Sequence, residues 1–286
     1  MKSTLFNSFF SLLFLCLFYF STSLMSQAQT HNFATFNIRY ANNNDVGNLW
    51  ENRLPEVSKL IQFHQIEIVG IQEGLHDQVV GLSNSLGYSF IGVGRDDGTE
   101  KGEYAAILYN QDNFKLLDSG TFWLSPTPEK PSKGWDAALN RICTWGKFQD
   151  REGVTFFIFN IHYDHIGQQA REESSKLVMN QVAKLNPEGA PAIMMGDFNV
   201  TPDNPAYTTI TSNPAWKDSR LISKIPSYGP KGTFTGFDWE RMPDGIIDHV
   251  FVYGPIEVIR HGILSDNYGK KYPSDHFPVL VELDFK

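Results

Sequence analysis

The sequence predicts a layered α/β fold in which two packed β-sheets are flanked by helices. Three observations carry this expectation. Strand-like and helix-like stretches alternate through both halves of the chain. No repeat with a period of about 20–50 residues and no low-complexity linker divides it. The apolar strands end, again and again, in acids, amides and histidines, as expected of a layered fold that gathers its chemistry at strand ends.

The first 28 residues are set apart from this fold. Lys2 gives a weakly positive start, Leu12 to Phe20 is an unbroken apolar run of nine, and Ser26-Gln27-Ala28 places small residues where a signal peptidase reads them. The run falls short of the ~20 apolar residues of a membrane span. A secretory signal over residues 1–28 is therefore expected, with export to the periplasm or the medium and no stable membrane insertion. Removing 28 of the 286 residues leaves 258, enough for one large domain over residues 29–286.

Within that domain the elements follow from periodicity. Phe33 to Arg39 alternates, with Ala34, Phe36 and Ile38 on one face and Thr35, Asn37 and Arg39 on the other. Leu54, Val57, Leu60 and Ile61 form a helical stripe, and Ile66 to Glu73 reads as a buried strand. Leu75, Val79, Leu82 and Leu86 form a second stripe, stopped by Gly87. Tyr104 to Tyr109, Phe114 to Leu117, Thr144 to Phe148 and Val154 to His162 are rich in β-branched and aromatic residues and read as strands. Ser125 to Leu139, with three prolines, reads as a loop. Gln168 to Leu185 reads as a helix with Ala170, Leu177, Val178, Val182 and Leu185 facing inward. Pro191 to Met195, Ile246 to Tyr253, Ile256 to Leu264 and Val279 to Leu283 complete the strands.

Composition narrows the function classes. Loss of Lys2 with the signal takes the formal charge from -8 to -9, and no run of Lys and Arg appears. Proteins that grip a nucleic-acid backbone draw affinity from neutralising phosphates, so this balance favours a small substrate while leaving nucleic acid open. Cys143 is the one cysteine outside the signal, which excludes an internal disulfide and thiolate metal clusters.

The chemistry-bearing residues cluster at strand ends. Glu73 ends Ile68-Val69-Gly70-Ile71-Gln72-Glu73; taken alone it is an ordinary loop acid. Asp197 and Asn199 follow a short apolar strand, and side chains two apart share a side of an extended backbone; an Asx turn suits the pair as well. His162 ends its strand with Asp164 and His165 just beyond. Asp248 lies inside the apolar stretch Ile246 to Phe251 and needs a partner, for which His276 is suited. Asp275 then points the other way, free for a cation. Oxygen ligands without thiolate suit Mg2+ or Mn2+, with Glu73 and Asp275 as the carboxylate pair; zinc is the lesser alternative.

Taken in order, Thr35-Phe36-Asn37-Ile38-Arg39, Gly70-Ile71-Gln72-Glu73, Asn160-Ile161-His162, Gly196-Asp197-Phe198-Asn199, Ile247-Asp248-His249 and Ser274-Asp275-His276-Phe277-Pro278 resemble the endonuclease/exonuclease/phosphatase superfamily, the fold of type I deoxyribonucleases. The resemblance spans nearly all of residues 29–286 and implies a four-layer α/β sandwich, two packed mixed β-sheets flanked by helices. It implies that Glu73 is the principal metal ligand, with Asn37 and Asp275 beside it. It also implies that Asp197 orients or deprotonates the attacking water, that Asn199 donates to phosphoryl oxygens, and that Asp248 and His276 form an Asp–His pair. His162 matches the family's central strand-end histidine and Glu103 its supporting acid. Arg141 stands where some members keep a phosphate-binding arginine, and Arg39 and His165 join it on the substrate side. Gly102-Glu103-Tyr104, Phe122-Trp123-Leu124-Ser125 and Arg141-Ile142-Cys143-Thr144-Trp145 resemble a bacterial branch whose substrates are largely unassigned.

The expected activity is divalent-metal-dependent hydrolysis of a phosphomono- or phosphodiester by in-line attack of water, by a monomer. Either Asp197 or the Asp248–His276 pair serves as base. The alternatives are a secreted nuclease, a sphingomyelinase-like lipid phosphodiesterase and a non-catalytic binding module. Specificity is expected from the loops Ser125 to Asn140 and Ile225 to Asp244, where Trp135, Phe237 and Trp239 either stack on substrate or anchor the loops.

Overall fold

Strand alternation decides which side chains meet between the sheets and which meet the helices. The computed structural model describes residues 30–286, so the expected signal segment lies outside the described residues. In chain order the elements are β1 (His31–Asn37), α1 (Trp50–Phe63), β2 (Ile68–Gly74), α2 (His76–Leu86), β3 (Ser89–Ile91), β4 (Tyr104–Tyr109), β5 (Lys115–Trp123), β6 (Ile142–Gln149), β7 (Thr155–His162), α3 (Gln168–Leu185), β8 (Ala192–Asp197), α4 (Pro205–Thr211), β9 (Trp216–Asp218), α5 (Ser219–Ile222), β10 (Asp248–Tyr253), β11 (Ile256–Ile263) and β12 (Val279–Phe285).

The strands form two six-stranded sheets, ordered β11-β12-β1-β2-β4-β3 and β5-β6-β7-β8-β10-β9. Both are mixed: β1–β2 and β7–β8 run parallel, and the other pairs antiparallel. Phe33, Ile68, Phe156, Ile158, Ile193, Met195, Val250 and Val281 meet in the core between the sheets. On the outer face of the first sheet, Ala34, Phe36, Val69 and Ile71 pack with Val57 and Leu60 of α1 and Val79 and Leu82 of α2. On the outer face of the second, Phe159, Ile161, Met194 and Phe251 pack with Val178 and Val182 of α3 and Ile210 of α4. The result is the four-layer α/β sandwich that the sequence predicts. Among the described residues no helix is long and apolar enough to cross a membrane.

The same two-residue period carries the polar residues inward. Asn37 shares the inner face with Phe33, Gln72 with Ile68, Asn160 and His162 with Ile158, Asp197 with Met195, and Asp248 with Val250. Asn160 uses this position to link the two sheets. Its amide donates to the carbonyls of Ile71 (2.9 Å) and Ala106 (2.8 Å), and its oxygen accepts from Gln72 Nε2 at 2.6 Å. Gly70 makes room for it, since a Cβ there would stand 2.7 Å from the Asn160 oxygen.

Several boundaries differ from expectation. The first strand stops at Asn37 rather than Arg39, because Arg39 turns to a left-handed φ of 56°. β5 continues past Leu117 to Trp123, held in antiparallel register with β6 after an irregularity between Leu116 and Asp118. β10 starts at Asp248, two residues later than its apolar stretch. β3, α4, β9 and α5 are too short for periodicity to register, although Asn204-Pro205 is a helix-start signal for α4: the Asn204 side chain accepts from Ala206 N.

Candidate active site

Register brings the first group of residues together. In the parallel pair β7–β8, His162 lies opposite Asp197; in the antiparallel pair β8–β10, Asp197 lies opposite Asp248. Three adjacent strands thus end in three functional side chains on the inner face. In the facing sheet Asn37 pairs with Gln72, and the chain then breaks register at Glu73, whose φ is 63°. Arg39, Glu73 and Asn199 (φ 51°) are three of the non-glycine residues with left-handed backbone, and all three line one cavity. Strained backbone of this kind persists where the surroundings over-determine it, commonly at functional sites.

Asp248 and His276 form a buried pair, with His276 Nδ1 2.9 Å from Asp248 Oδ2. The other ring nitrogen, Nε2, lies 3.8 Å from Asp197 Oδ2. Burial opposes charge on the ring, but Asp248 and Asp197 outweigh it and hold the His276 pKa well above its ordinary value, so the imidazolium persists at neutral pH. Burial, reinforced by Asp248, pushes Asp197 up to about 7. Asp197 Oδ1 accepts from the Asn199 amide N at 2.9 Å, the Asx turn that the sequence left open, so the backbone is not extended here. The Asn199 side-chain amide donates to Tyr163 O at 3.1 Å while lining the cavity.

The expected metal ligands form a second group. Glu73 and Asp275 both line the cavity, but Asn37 stands behind them. Its amide donates to Glu73 Oε1 (3.1 Å) and Asp197 Oδ2 (3.0 Å), and its oxygen accepts from Arg39 N (3.0 Å). Asn37 therefore ties the two carboxylates together through its amide nitrogen, with one hydrogen bond already accepted by its oxygen. The Arg39 guanidinium lies 3.7 Å from Glu73 and 3.8 Å from Asp275, and is held by Asp45 through Nε at 2.9 Å. Burial raises the Asp275 pKa, and Glu73 adds to it. The hard oxygen donors of Glu73 and Asp275, already drawing a cation's charge, fit a Mg2+-like ion. Asp197, Asp248 and His276 also place ligand-type atoms within 4.8 Å of one another, making a buried acid–histidine cluster. In that cluster His276 Nδ1 is already engaged with Asp248 at 2.9 Å.

Arg141 organises a third group. It is buried, and its guanidinium reaches His162 Nε2 (2.7 Å), His165 Nδ1 (2.9 Å) and Asp164 Oδ2 (3.4 Å). Arginine only donates, so both of these ring nitrogens carry lone pairs. His162 is accordingly neutral: burial, with Arg141 and Arg95, lowers its pKa well below the ordinary value. Glu103, expected to orient His162, is 4.0 Å from Nδ1 and is gripped instead by Arg95 at 2.6 and 2.9 Å. Burial raises the Glu103 pKa. Backbone amides of Gly167, Ala138 and Ile166 overcome burial at Asp164 and draw it down to about 2.

The cavity has a volume of about 510 Å3, and every expected site residue lines it except Asn37 and Asp248, which stand behind the lining. Trp135, Phe237 and Trp239 do not line it. Trp239 packs on Tyr272 (5.0 Å between centroids) and Phe237 on the Arg53 guanidinium (5.5 Å), so these two anchor their loop. The aromatic residues at the cavity are Tyr40 and Phe234, the latter half exposed. Sequence reasoning also passes over Arg53, which is fully buried and donates to the carbonyls of Ile38 (2.6 Å), Arg39 (3.1 Å), Asn48 (2.8 Å) and Pro273 (3.1 Å). It ties the end of β1 to the segment carrying Asp275 and His276. A lone Arg followed by an apolar stripe carries no signal of this.

Comparison with known proteins agrees with this architecture. A structure of an endonuclease/exonuclease/phosphatase family protein from Bacteroides thetaiotaomicron is 42% identical, with a TM-score of 0.87 over 91% of this chain and 99% of that one. A mannosyl-6-phosphatase of the same organism is also 42% identical, with a TM-score of 0.87 over 89% of this chain and 100% of its own. An uncharacterised protein of Acanthamoeba polyphaga mimivirus is 25% identical over 252 residues, 81% of this chain and 91% of the relative. The family model described as Endonuclease/Exonuclease/phosphatase family matches residues 34–276, from the middle of β1 to the histidine of the Asp–His pair, and this chain belongs to that family.

Proposed function

We propose that this chain is an exported, divalent-metal-dependent phosphatase that hydrolyses a small phosphomonoester to an alcohol and orthophosphate. The observation that carries the reading is the convergence of Asp197, His276, His162 and Asn199 on one cavity beside the Glu73–Asp275 carboxylates. Similarity to a mannosyl-6-phosphatase supports a monoester, and the acidic chain supports a small substrate over a polyanion.

In this reading the phosphoryl group sits among His276, His162 and Asn199. Asp197 takes a proton from water, whose oxygen forms the new P–O bond as the P–O bond to the alcohol breaks; the departing alkoxide is protonated by solvent. The His276 imidazolium, fixed by Asp248, and the second amide hydrogen of Asn199 stabilise the phosphoryl oxygens. Glu73 and Asp275 are the residues to hold Mg2+ or Mn2+, which supplies charge neutralisation to the phosphoryl oxygens.

Orthophosphate release from a panel of sugar phosphates, nucleotides and bis(p-nitrophenyl) phosphate, with Mg2+ or Mn2+ and again with EDTA, tests the reaction. The expected result is monoester hydrolysis that EDTA abolishes. Cleavage of the diester or of nucleic acid with no monoester turnover would overturn it. Export is tested by expressing the full chain and weighing the secreted product, which is expected to begin at Gln29. Light scattering at monomer mass tests the expected monomeric state.

A further inference from the structure

Next to the reaction cavity lies a second one of about 320 Å3, and the two share the walls Phe234 and Ile247. Its other walls include Thr235, Asp238, Arg241 and Asp244. Resting on the phosphatase reading above, we propose that this second cavity is the leaving-group subsite, and that it takes an uncharged, hydroxyl-rich group such as a sugar ring.

The position supports this. Phe234 lies between the cavities, half exposed, with its ring 5.0 Å from the His276 imidazole. A phosphate held at His276 therefore carries its ester group towards or past the Phe234 face. That face is rigid: Thr235 N donates to Asp275 O (2.7 Å), Phe277 N donates to Thr233 O (2.7 Å), and Thr233 N donates to Gly245 O (3.1 Å). Both ends of the 233–245 loop are thus stitched to the site, and Asp238, Arg241 and Asp244 between them line the second cavity.

The chemistry supports it too. An exposed aromatic face suits the C–H face of a sugar ring. Carboxylates accept from hydroxyls and a guanidinium donates to them, in charge-assisted hydrogen bonds stronger than neutral ones. Among the described residues, Arg241 and Asp244 form no ion pair that would spend these groups, while Asp238 accepts from Glu240 N at 3.0 Å. Two carboxylates against one guanidinium leave this wall net negative, which disfavours a second phosphate and hence a nucleotide chain. The volume lies at the low end for small-molecule pockets, about 300–1,000 Å3, and suits one ring.

The test compares mannose 6-phosphate with p-nitrophenyl phosphate, whose flat leaving group lacks hydroxyls, in the wild type and in Arg241→Ala and Asp244→Ala. Both residues are exposed, and unchanged melting temperatures confirm the fold. The expected result is that kcat/KM for the sugar phosphate falls at least tenfold further than that for the aryl phosphate. Equal losses on both substrates, or no loss on the sugar phosphate, would overturn the subsite. Wild-type turnover of the aryl phosphate alone would overturn it as well. Turnover of neither compound would instead sink the phosphatase reading, and the subsite with it.

Discussion

Asp197 and Asp248 face each other across the antiparallel pair β8–β10, both buried, and the His276 ring touches both: Nδ1 at 2.9 Å from Asp248 and Nε2 at 3.8 Å from Asp197. Two buried carboxylates in direct register repel one another, and the imidazolium between them offsets the repulsion. The three groups therefore share a proton inventory, and altering one changes the others.

His276→Ala removes the positive member of this trio. General acid–base and electrostatic groups of this kind contribute about 10²–10⁴ in rate. Loss of kcat/KM in that range is expected against p-nitrophenyl phosphate, with an unchanged far-UV circular dichroism spectrum. Asp248→Asn keeps a hydrogen-bond acceptor for Nδ1 but removes the charge, so a smaller loss is expected. A wild-type rate in His276→Ala would refute the role.

Asp197 provides a pH prediction. Its carboxyl is pushed up to about 7 by burial, with Asp248 adding to the effect. An acid with a raised native pKa contributes stability that is present below its ordinary value and lost as pH rises through the native one. On the proposed mechanism, in which the Asp197 carboxylate is the base, activity is expected to run the other way. In metal-free protein, 13C NMR is expected to show Asp197 titrating near 7. Asp248→Asn removes a neighbouring negative charge and moves that titration to lower pH. Identical titration in both proteins would contradict the coupling.

Arg53 tests the scaffold behind the site. Its donors end on four carbonyls, from Ile38, Arg39, Asn48 and Pro273, and burial lowers its pKa to about 10, so it remains charged at neutral pH. Lysine cannot reproduce the fork and has three donors for four carbonyls, so Arg53→Lys leaves at least one buried carbonyl short of a donor. A loss of about 3 kcal/mol is expected by chemical denaturation. Because Arg53 joins β1 to the Asp275 segment, weaker Mg2+ binding by calorimetry is expected alongside it. Full stability with wild-type Mg2+ affinity would show that the tie is dispensable.

The contrast between Asp197 and Arg53 shows what could be read from the chain. Asn37, His162, Asp197 and Asp248 were legible because the first three close a strand and Asp248 opens one, and the two-residue period puts all four on the inner face. Glu73, Arg39 and Asn199 were legible as residues but not as geometry, since their left-handed backbone contradicts the extended reading. Arg53 and Phe234 act through segments far away in sequence: Arg53 reaches Pro273 across 220 positions, and Phe234 meets His276 through an isolated bridge and a ring contact at 5.0 Å. Local periodicity holds no record of such contacts, which arise when the two sheets close on each other.

His261 carries a prediction about stability away from the site. It sits on β11, 5% exposed, with Nδ1 3.0 Å from Ser219 Oγ and Nε2 buried with no hydrogen-bond partner among the described residues. Burial lowers its pKa to about 4. The folded protein thus holds the ring neutral where the unfolded chain protonates it. A histidine depressed in this way contributes stability that is present above about 6.5 and lost as pH falls towards about 4. At 1.36 kcal/mol per pKa unit, the loss across that window is on the order of 3 kcal/mol. His261→Gln is uncharged at every pH, so its stability relative to the wild type is expected to improve steadily from pH 6.5 to pH 4 in urea titrations. Parallel stability curves for the two proteins over that window would mean that His261 takes up its proton in the folded state without cost.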